Sequence, residues 1–258
     1  MVSQERSAPP SFALDGRRAL VTGAATGIGR SIALAYAAAG ADLVLLSEHD
    51  NLGPVAEQTR AAGAKTTCVH FDLADPTTRP RFVDNLFDDH DVDILVNNAG
   101  VIRRAPTEHF SDEDWFGVIE VNTHAAFHLA RAAGRQMLAR RRGKIINIAS
   151  VLSFQGGMFV PSYAASKHAL AGLTKALANE WAARGVNVNA IAPGYVETAV
   201  TRELRGDQTR SAEITARIPA GRWATPEDIA GPAVFLASSA ADYVHGHILV
   251  VDGGWLCR

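Results

Sequence analysis

Short runs dense in leucine and β-branched residues alternate along the chain with longer stretches whose apolar positions recur at helical spacing. "RALVT" (18–22), "DLVLLS" (42–47), "TTCVH" (66–70), "VDILVN" (92–97), "KIINIAS" (144–150), "VNVNAI" (186–191) and "HILVVD" (247–252) read as seven strands. Several are almost continuously apolar, as strands are when a sheet is covered on both faces. Strand, helix, strand in repetition gives parallel pairing with right-handed crossovers. The predicted fold is therefore α/β: a doubly wound (Rossmann) seven-stranded parallel sheet with helices on both faces, whose ligands should lie beyond the C-terminal ends of the strands.

Helix-start signals agree with this order. Ser111 precedes "DEDW", and Thr225 precedes Pro226 at a first helical position, both N-cap patterns. No repeat or composition break marks a second domain. The reading is a loose polar tail over 1–12, "MVSQERSAPPSF", and a single domain over 13–258, within which the irregular segment 193–223 would close over the site as a lid.

Composition narrows the function classes. The 258 residues are 47% hydrophobic, enough for a large core, and 25 Lys plus Arg against 27 Asp plus Glu leave a formal charge of −2. That balance argues against a nucleic-acid surface, and Arg140, Arg141 and Arg142 read as the end of a helix. No apolar stretch has the length of a membrane span, since Gly40 and Asp42 divide the richest one. Two cysteines, Cys68 and Cys257, make neither a disulfide framework nor a four-cysteine zinc site and suit a reducing cytoplasm. "HGH" (245–247) lacks a third ligand, so no metal is expected. Trp181, Trp223 and Trp255 read as packing residues.

The strongest chemical signal is "VTGAATGIGR", between the first strand and a helix. Gly23, Gly27 and Gly29, with Thr26 and Ile28 between them, allow a tight turn and a close approach of backbone to a pyrophosphate at the helix N-terminus. Asp72 and Leu73 follow the third strand, where an adenine edge would lie. "NNAG", with Asn98, Ala99 and Gly100, follows the fourth, beside the ribose and nicotinamide. At the end of the second strand stands "LLSEHD", with Ser47 and Glu48 and no Lys or Arg, which favours NAD over NADP. Further on, "PSYAASKHAL" places Tyr163 and Lys167 on one face of a helix, one turn apart.

Taken in order, the glycine loop, "NNAG", Asn122, Ser150, "SYAASK" and "APGYVET" resemble the short-chain dehydrogenase/reductase family over nearly the whole chain. "NNAGVIRR", "GKIINIASVLSFQGG", "NEWAARGVNVNAIAPGY" and "VDGGWL" further resemble its sugar-acid branch, of the 2-deoxy-D-gluconate 3-dehydrogenase and 2-dehydro-3-deoxy-D-gluconate 5-dehydrogenase type. The resemblance implies that Tyr163 is the acid/base, with Lys167 lowering the cost of its deprotonation, that Ser150 holds the reacting oxygen, and that Asn122 holds a water leading to Lys167. A phenol titrating near pH 10 needs such help at neutral pH. It implies further that Pro193 and Gly194 shape the loop under the nicotinamide, whose carboxamide Val196 and Thr198 fix, and that the chain forms a homotetramer. For the substrate carboxylate Arg103 or Arg104 is the candidate, with Gln155 and Tyr195 as hydroxyl partners and Arg217 and Arg222 reaching in from the lid. Rival readings are a reductase of a 3-oxoacyl thioester or a polyol, and a regulator that binds dinucleotide without turnover.

Overall fold

The computed structural model describes residues 9–48 and 51–258. Seven strands, β1 (Arg18–Thr22), β2 (Asp42–Ser47), β3 (Thr66–His70), β4 (Ile94–Asn97), β5 (Gly143–Ile148), β6 (Val186–Pro193) and β7 (Ile248–Val251), pair in parallel in the order β3-β2-β1-β4-β5-β6-β7. The helices between them are α1 (Gly27–Ala38), α2 (Gly53–Ala61), α3 (Arg79–Asp89), α4 (Asp112–Ile119), α5 (Ala126–Ala139), α6 (Pro161–Trp181), α7 (Arg202–Gly206), α8 (Gln208–Arg217) and α9 (Pro226–Ala237). The doubly wound, seven-stranded sheet is thus as the strand pattern predicts. The order reverses at β1, so the crevice between the loops after β1 and β4 is the natural ligand site.

The near-continuous apolar runs follow from burial on both faces. Ala19 and Val21, Leu43 and Leu45, and Ile94 and Val96 point into a core closed by α1, α2 and α9. Their neighbours Leu20, Val44, Leu46 and Leu95 point into the opposite core, closed by α3, α5 and α6. Alternate residues thus serve two cores. The edge strand β3 differs: Thr67, Cys68 and His70 are exposed, and the strand holds by pairing to β2.

Ser111 caps α4 by accepting from Asp114 N, and Thr225 and Asp228 form a reciprocal capping box on α9, as the local sequence predicts. Arg140 and Arg142, past the end of α5, both reach the Asp93 carboxylate. Of the expected 1–12 tail, residues 1–8 lie outside the described residues. Ser11 and Phe12 are already attached, the former through Ser239 and the latter against Phe235. Among the described residues no helix is long and apolar enough to cross a membrane.

One element departs from regular geometry where it bears on the site. Between α4 and α5 the helix widens into a π-helix, Glu120–Ala125, which carries Asn122. The spacing of apolar residues predicts one continuous helix there. A π turn adds a single residue and leaves that spacing almost intact.

Candidate active site

The glycines after β1 serve three different needs. Gly23 turns at φ +62°, and a Cβ there would lie 2.9 Å from Asn98 Nδ2. Gly27 opens α1 at φ +54° with Thr198 against it. Gly29 has ordinary backbone angles, but a Cβ would run into the Gly23 carbonyl oxygen and the Asn98 amide. The loop is therefore packed directly on the "NNAG" segment. Asn98 Nδ2 donates to Thr22 O at 2.8 Å, and Thr22 Oγ1 accepts from the backbone N–H groups of Asn98 and Ala99 at 3.0 and 2.9 Å. Thr22 is a site residue that the sequence signals only as an ordinary strand-end threonine.

The amino end of α1 points into this cleft with no side-chain cap on it and no acidic residue in its first turn. Unpaired N–H groups and the positive end of a helix dipole fit a diphosphate, so the residues present suit a dinucleotide. Gly23, Thr26, Gly27, Ile28, Ser47, Glu48, Asp72, Leu73, Asn98, Ala99 and Gly100 line one continuous cleft with Ser150, Tyr163, Lys167, Pro193, Gly194, Val196 and Thr198. Gly29 lies behind it as a packing residue. Ser47 is buried at the end of β2, and Glu48 is exposed beside it. His49 and Asp50, the rest of "LLSEHD", lie outside the described residues. Among the described lining residues, the cation is Lys167, deep in the cleft.

Ser150 lies two residues beyond β5, its Oγ accepting from Leu152 N at 3.1 Å, and it faces the same cleft as Tyr163. Lys167, one turn along α6, is 4% exposed; its Nζ lies 5.4 Å from the Tyr163 ring centroid and donates to Ile148 O at 2.6 Å. Ser153 Oγ in turn donates to the Lys167 carbonyl, tying the short 3-10 turn Val151–Ser153 to α6. Burial pushes the Tyr163 phenol above its ordinary value, while the Ser150 hydroxyl and the charge of Arg104 pull it back. The lysine donates to a carbonyl and lies over the ring face. Burial pushes Lys167 itself down to about 8.

Asn122 is buried, and its amide is largely committed. Nδ2 donates to Val101 O at 3.0 Å and to Ser166 Oγ at 3.1 Å, and Oδ1 accepts from Val101 N at 2.9 Å. It joins the π-helix, α6 and the chain leaving "NNAG". The side chain leaves a water only the second lone pair of Oδ1, beside the Asn122 backbone carbonyl.

The expected substrate contacts separate sharply. Arg103 pairs with Asp114 at 3.2 Å, on the flank of α4. Arg104 reaches across to the Val200 carbonyl at 3.4 Å, and its charge is felt at Tyr163. Arg222 does not enter the cleft: both guanidinium ends grip Asp228, at 2.6 and 2.9 Å. Arg217 stacks on Trp255, 3.9 Å from a ring centroid. Tyr195 sits edge-on between Trp223 and Trp255, with burial raising its phenol. Gln155 is half-buried in the loop after Val151–Ser153. Trp223, Trp255, Ile214 and Ile218 form a small core under α8, which packs the 193–223 segment onto the rest of the fold. Among the described residues no group of His, Cys, Asp and Glu is arranged to hold a metal.

A doubly wound sheet with this glycine cradle and a Ser–Tyr–Lys constellation at the strand ends defines a nicotinamide-dependent dehydrogenase, and the comparisons agree. The family model described as "Enoyl-(Acyl carrier protein) reductase" matches residues 23–256, and the chain belongs to the short-chain dehydrogenase/reductase family, oxidoreductases that act on CH–OH groups with NAD(P). It is similar to the 2-dehydro-3-deoxy-D-gluconate 5-dehydrogenases of Bacillus subtilis, at 54% identity, and Escherichia coli, at 49%, each over 96% of this chain and 98% of the relative. Among solved structures it is similar to a Beutenbergia cavernae protein with bound NADP at low occupancy, at 57% identity and TM-score 0.94 over 96% of this chain and 99% of that one. A Burkholderia cenocepacia gluconate 5-dehydrogenase in complex with NADP and tartrate matches at 41% identity and TM-score 0.91, over 96% and 98%.

Proposed function

We propose that the protein is a sugar-acid dehydrogenase that exchanges hydride between NAD and a secondary alcohol of a 2-dehydro-3-deoxy-D-gluconate or 2-deoxy-D-gluconate type substrate. The observation that carries this reading is that Ser150, Tyr163 and Lys167 line one wall of the cleft that the glycine loop opens, with Lys167 over the Tyr163 ring. Near-full-length similarity to named sugar-acid enzymes supports the substrate class.

Gly23, Thr26, Gly27 and Ile28 hold the diphosphate against the start of α1. Asp72 and Leu73 border the adenine, and Asn98, Ala99 and Gly100 border the ribose. Pro193 and Gly194 with Val196 and Thr198 seat the nicotinamide, which supplies the hydride acceptor. Ser150 Oγ orients the substrate oxygen toward Tyr163, whose phenol oxygen takes the hydroxyl proton in oxidation and returns it in reduction. Lys167, held by Ile148 O, places a cation under that ring and favours phenolate while it remains protonated. Asn122 braces the loop after "NNAG" against α6. Arg104 is the carboxylate partner in preference to Arg103, which Asp114 occupies. Glu48 in the cleft wall repels a 2′-phosphate, the physical ground for NAD, although the Beutenbergia and Burkholderia structures hold NADP. Segment 193–223 closes the substrate side. Assembly is a homotetramer, and the location is the cytoplasm.

A substrate panel followed by the absorbance of reduced nicotinamide tests the reading. Turnover is expected with 2-dehydro-3-deoxy-D-gluconate or 2-deoxy-D-gluconate and a higher kcat/KM for NAD than for NADP. Turnover confined to 3-oxoacyl thioesters or simple polyols would discard the substrate assignment, and a preference for NADP would discard the role of Glu48.

A further inference from the structure

Arg79, the first residue of α3, is 1% exposed, and none of the chemistry above uses it. A guanidinium cannot shed its charge, so burial at that depth requires partners. They come from three places. Nη1 donates to Leu73 O at 2.8 Å and lies 3.5 Å from the Glu120 carbonyl oxygen, Nη2 donates to Glu120 Oε2 at 2.7 Å, and Nε donates to His128 Nδ1 at 3.4 Å. Leu73 follows β3, Glu120 opens the π-helix, and His128 lies on α5.

One of these partners lines the cleft and a second directly precedes a lining residue. Leu73 lines it from the β3 side, and Val121, directly after Glu120, lines it from the π-helix. One planar cation thus ties together two cleft walls that belong to different elements. A π turn is a strained variant of helix and gains from an external anchor. Glu120 has two: Arg79, and His124 Nδ1 at 2.8 Å within the same turn. Burial favours the protonated form of Glu120, but the hydrogen bonds from Arg79 and His124 outweigh it and hold the carboxyl below its ordinary value. Arg79 can only donate, so His128 must present an unprotonated Nδ1. Burial and the Arg79 charge keep its imidazole low, consistent with that role.

We propose that Arg79 is a positioning residue for the dinucleotide: by joining the Leu73 carbonyl to Glu120 it sets the spacing of the walls around the adenylate half and so governs nucleotide affinity without touching the nucleotide. The inference rests on the reading of this cleft as a dinucleotide site. A purely structural arginine would lower the melting temperature and leave the ligand affinity of the folded protein alone.

Calorimetric binding of NADH and of ADP-ribose, which lacks the nicotinamide, to the wild type and to Arg79→Lys, Arg79→Met and Glu120→Gln separates these roles. Arg79→Met should weaken both ligands by the same factor, about tenfold or more, and Arg79→Lys should recover part of the loss. The KM for the sugar acid at saturating nucleotide should stay within about twofold of wild type, because neither Leu73 nor Glu120 is among the residues proposed to meet the substrate. Glu120→Gln keeps an oxygen for Arg79 but loses the charge and should weaken both ligands by about fivefold. A folded Arg79→Met protein with wild-type affinity for ADP-ribose overturns the proposal. Should that variant not fold, unchanged ADP-ribose affinity in Glu120→Gln overturns it equally. A wild type that binds neither ligand defeats the dinucleotide reading, a failure distinct from a wild type that binds both while the variants match it.

Discussion

Tyr163 and Lys167 show how one cleft makes opposite demands on two neighbours. Burial disfavours the phenolate that the proposed reaction needs and also disfavours the ammonium that would stabilise it. Tyr163→Phe removes the proton carrier and keeps the ring, so turnover should fall by at least about 100-fold while NADH titration shows near-normal binding. Retained turnover would remove Tyr163 from the chemistry. Lys167 falls from an ordinary value of 10.5 to about 8 in the folded protein, so the unfolded chain holds this proton more tightly. The cost of burying it is complete below about pH 8, shrinks as pH rises toward 10.5 and is gone above, with a ceiling of about 3 kcal/mol. Loss of the bond to Ile148 O offsets about 1 kcal/mol of the gain from replacing it. Urea unfolding should therefore show Lys167→Met to be inactive yet more stable than wild type at pH 7, with the margin narrowing by pH 9.5. A margin independent of pH would mean that Lys167 is not buried as a cation.

At the scale of elements, the start of α1 shows that glycines of one motif do unlike things. Gly29 is required by proximity: with ordinary backbone angles it leaves no room for a methyl group between Gly23 O and Asn98. Gly29→Ala should cost about 1–3 kcal/mol and weaken NADH binding, since the loop must part from "NNAG". Gly53, at the start of α2, has open space around it, and Gly53→Ala should be neutral or slightly stabilising. Thermal melting of the pair measures the contrast. Equal effects would show that close packing does not set the requirement at position 29.

At the scale of the whole molecule, exposed apolar side chains among the described residues lie on α4 and α5, on the 154–159 loop and around β7. Phe116 is 61% exposed, with Trp115 and Phe127 less so, while Tyr243 and Val250 are exposed around β7. A homotetramer would cover such faces by isologous pairing. Phe116→Asp should then shift the mass in solution below four chains, as light scattering would show. A wild-type protein that runs as a monomer at micromolar concentration would rule the assembly out.

Strand positions, sheet type and the pairing of Tyr163 with Lys167 were legible in the linear order of residues, because alternation across two cores and a one-turn spacing are local signals; Ser150 stood out only through the family motifs. The roles of the arginines were not. Arg103 and Arg104 are adjacent and chemically identical, yet one meets Asp114 and the other Val200. Arg222 in a lid segment reads as a substrate ligand until Asp228 claims it, and nothing in the local sequence singles out Arg79, although it is 1% exposed. The π-helix was hidden because one added residue hardly disturbs apolar spacing. By itself the sequence determined the layered fold and the glycine cradle, since backbone propensity and burial periodicity act over a few positions. Only tertiary structure decided which acceptor each long cationic side chain finds and how far burial shifts Tyr163 and Lys167, because those outcomes depend on groups that the chain brings together from remote segments.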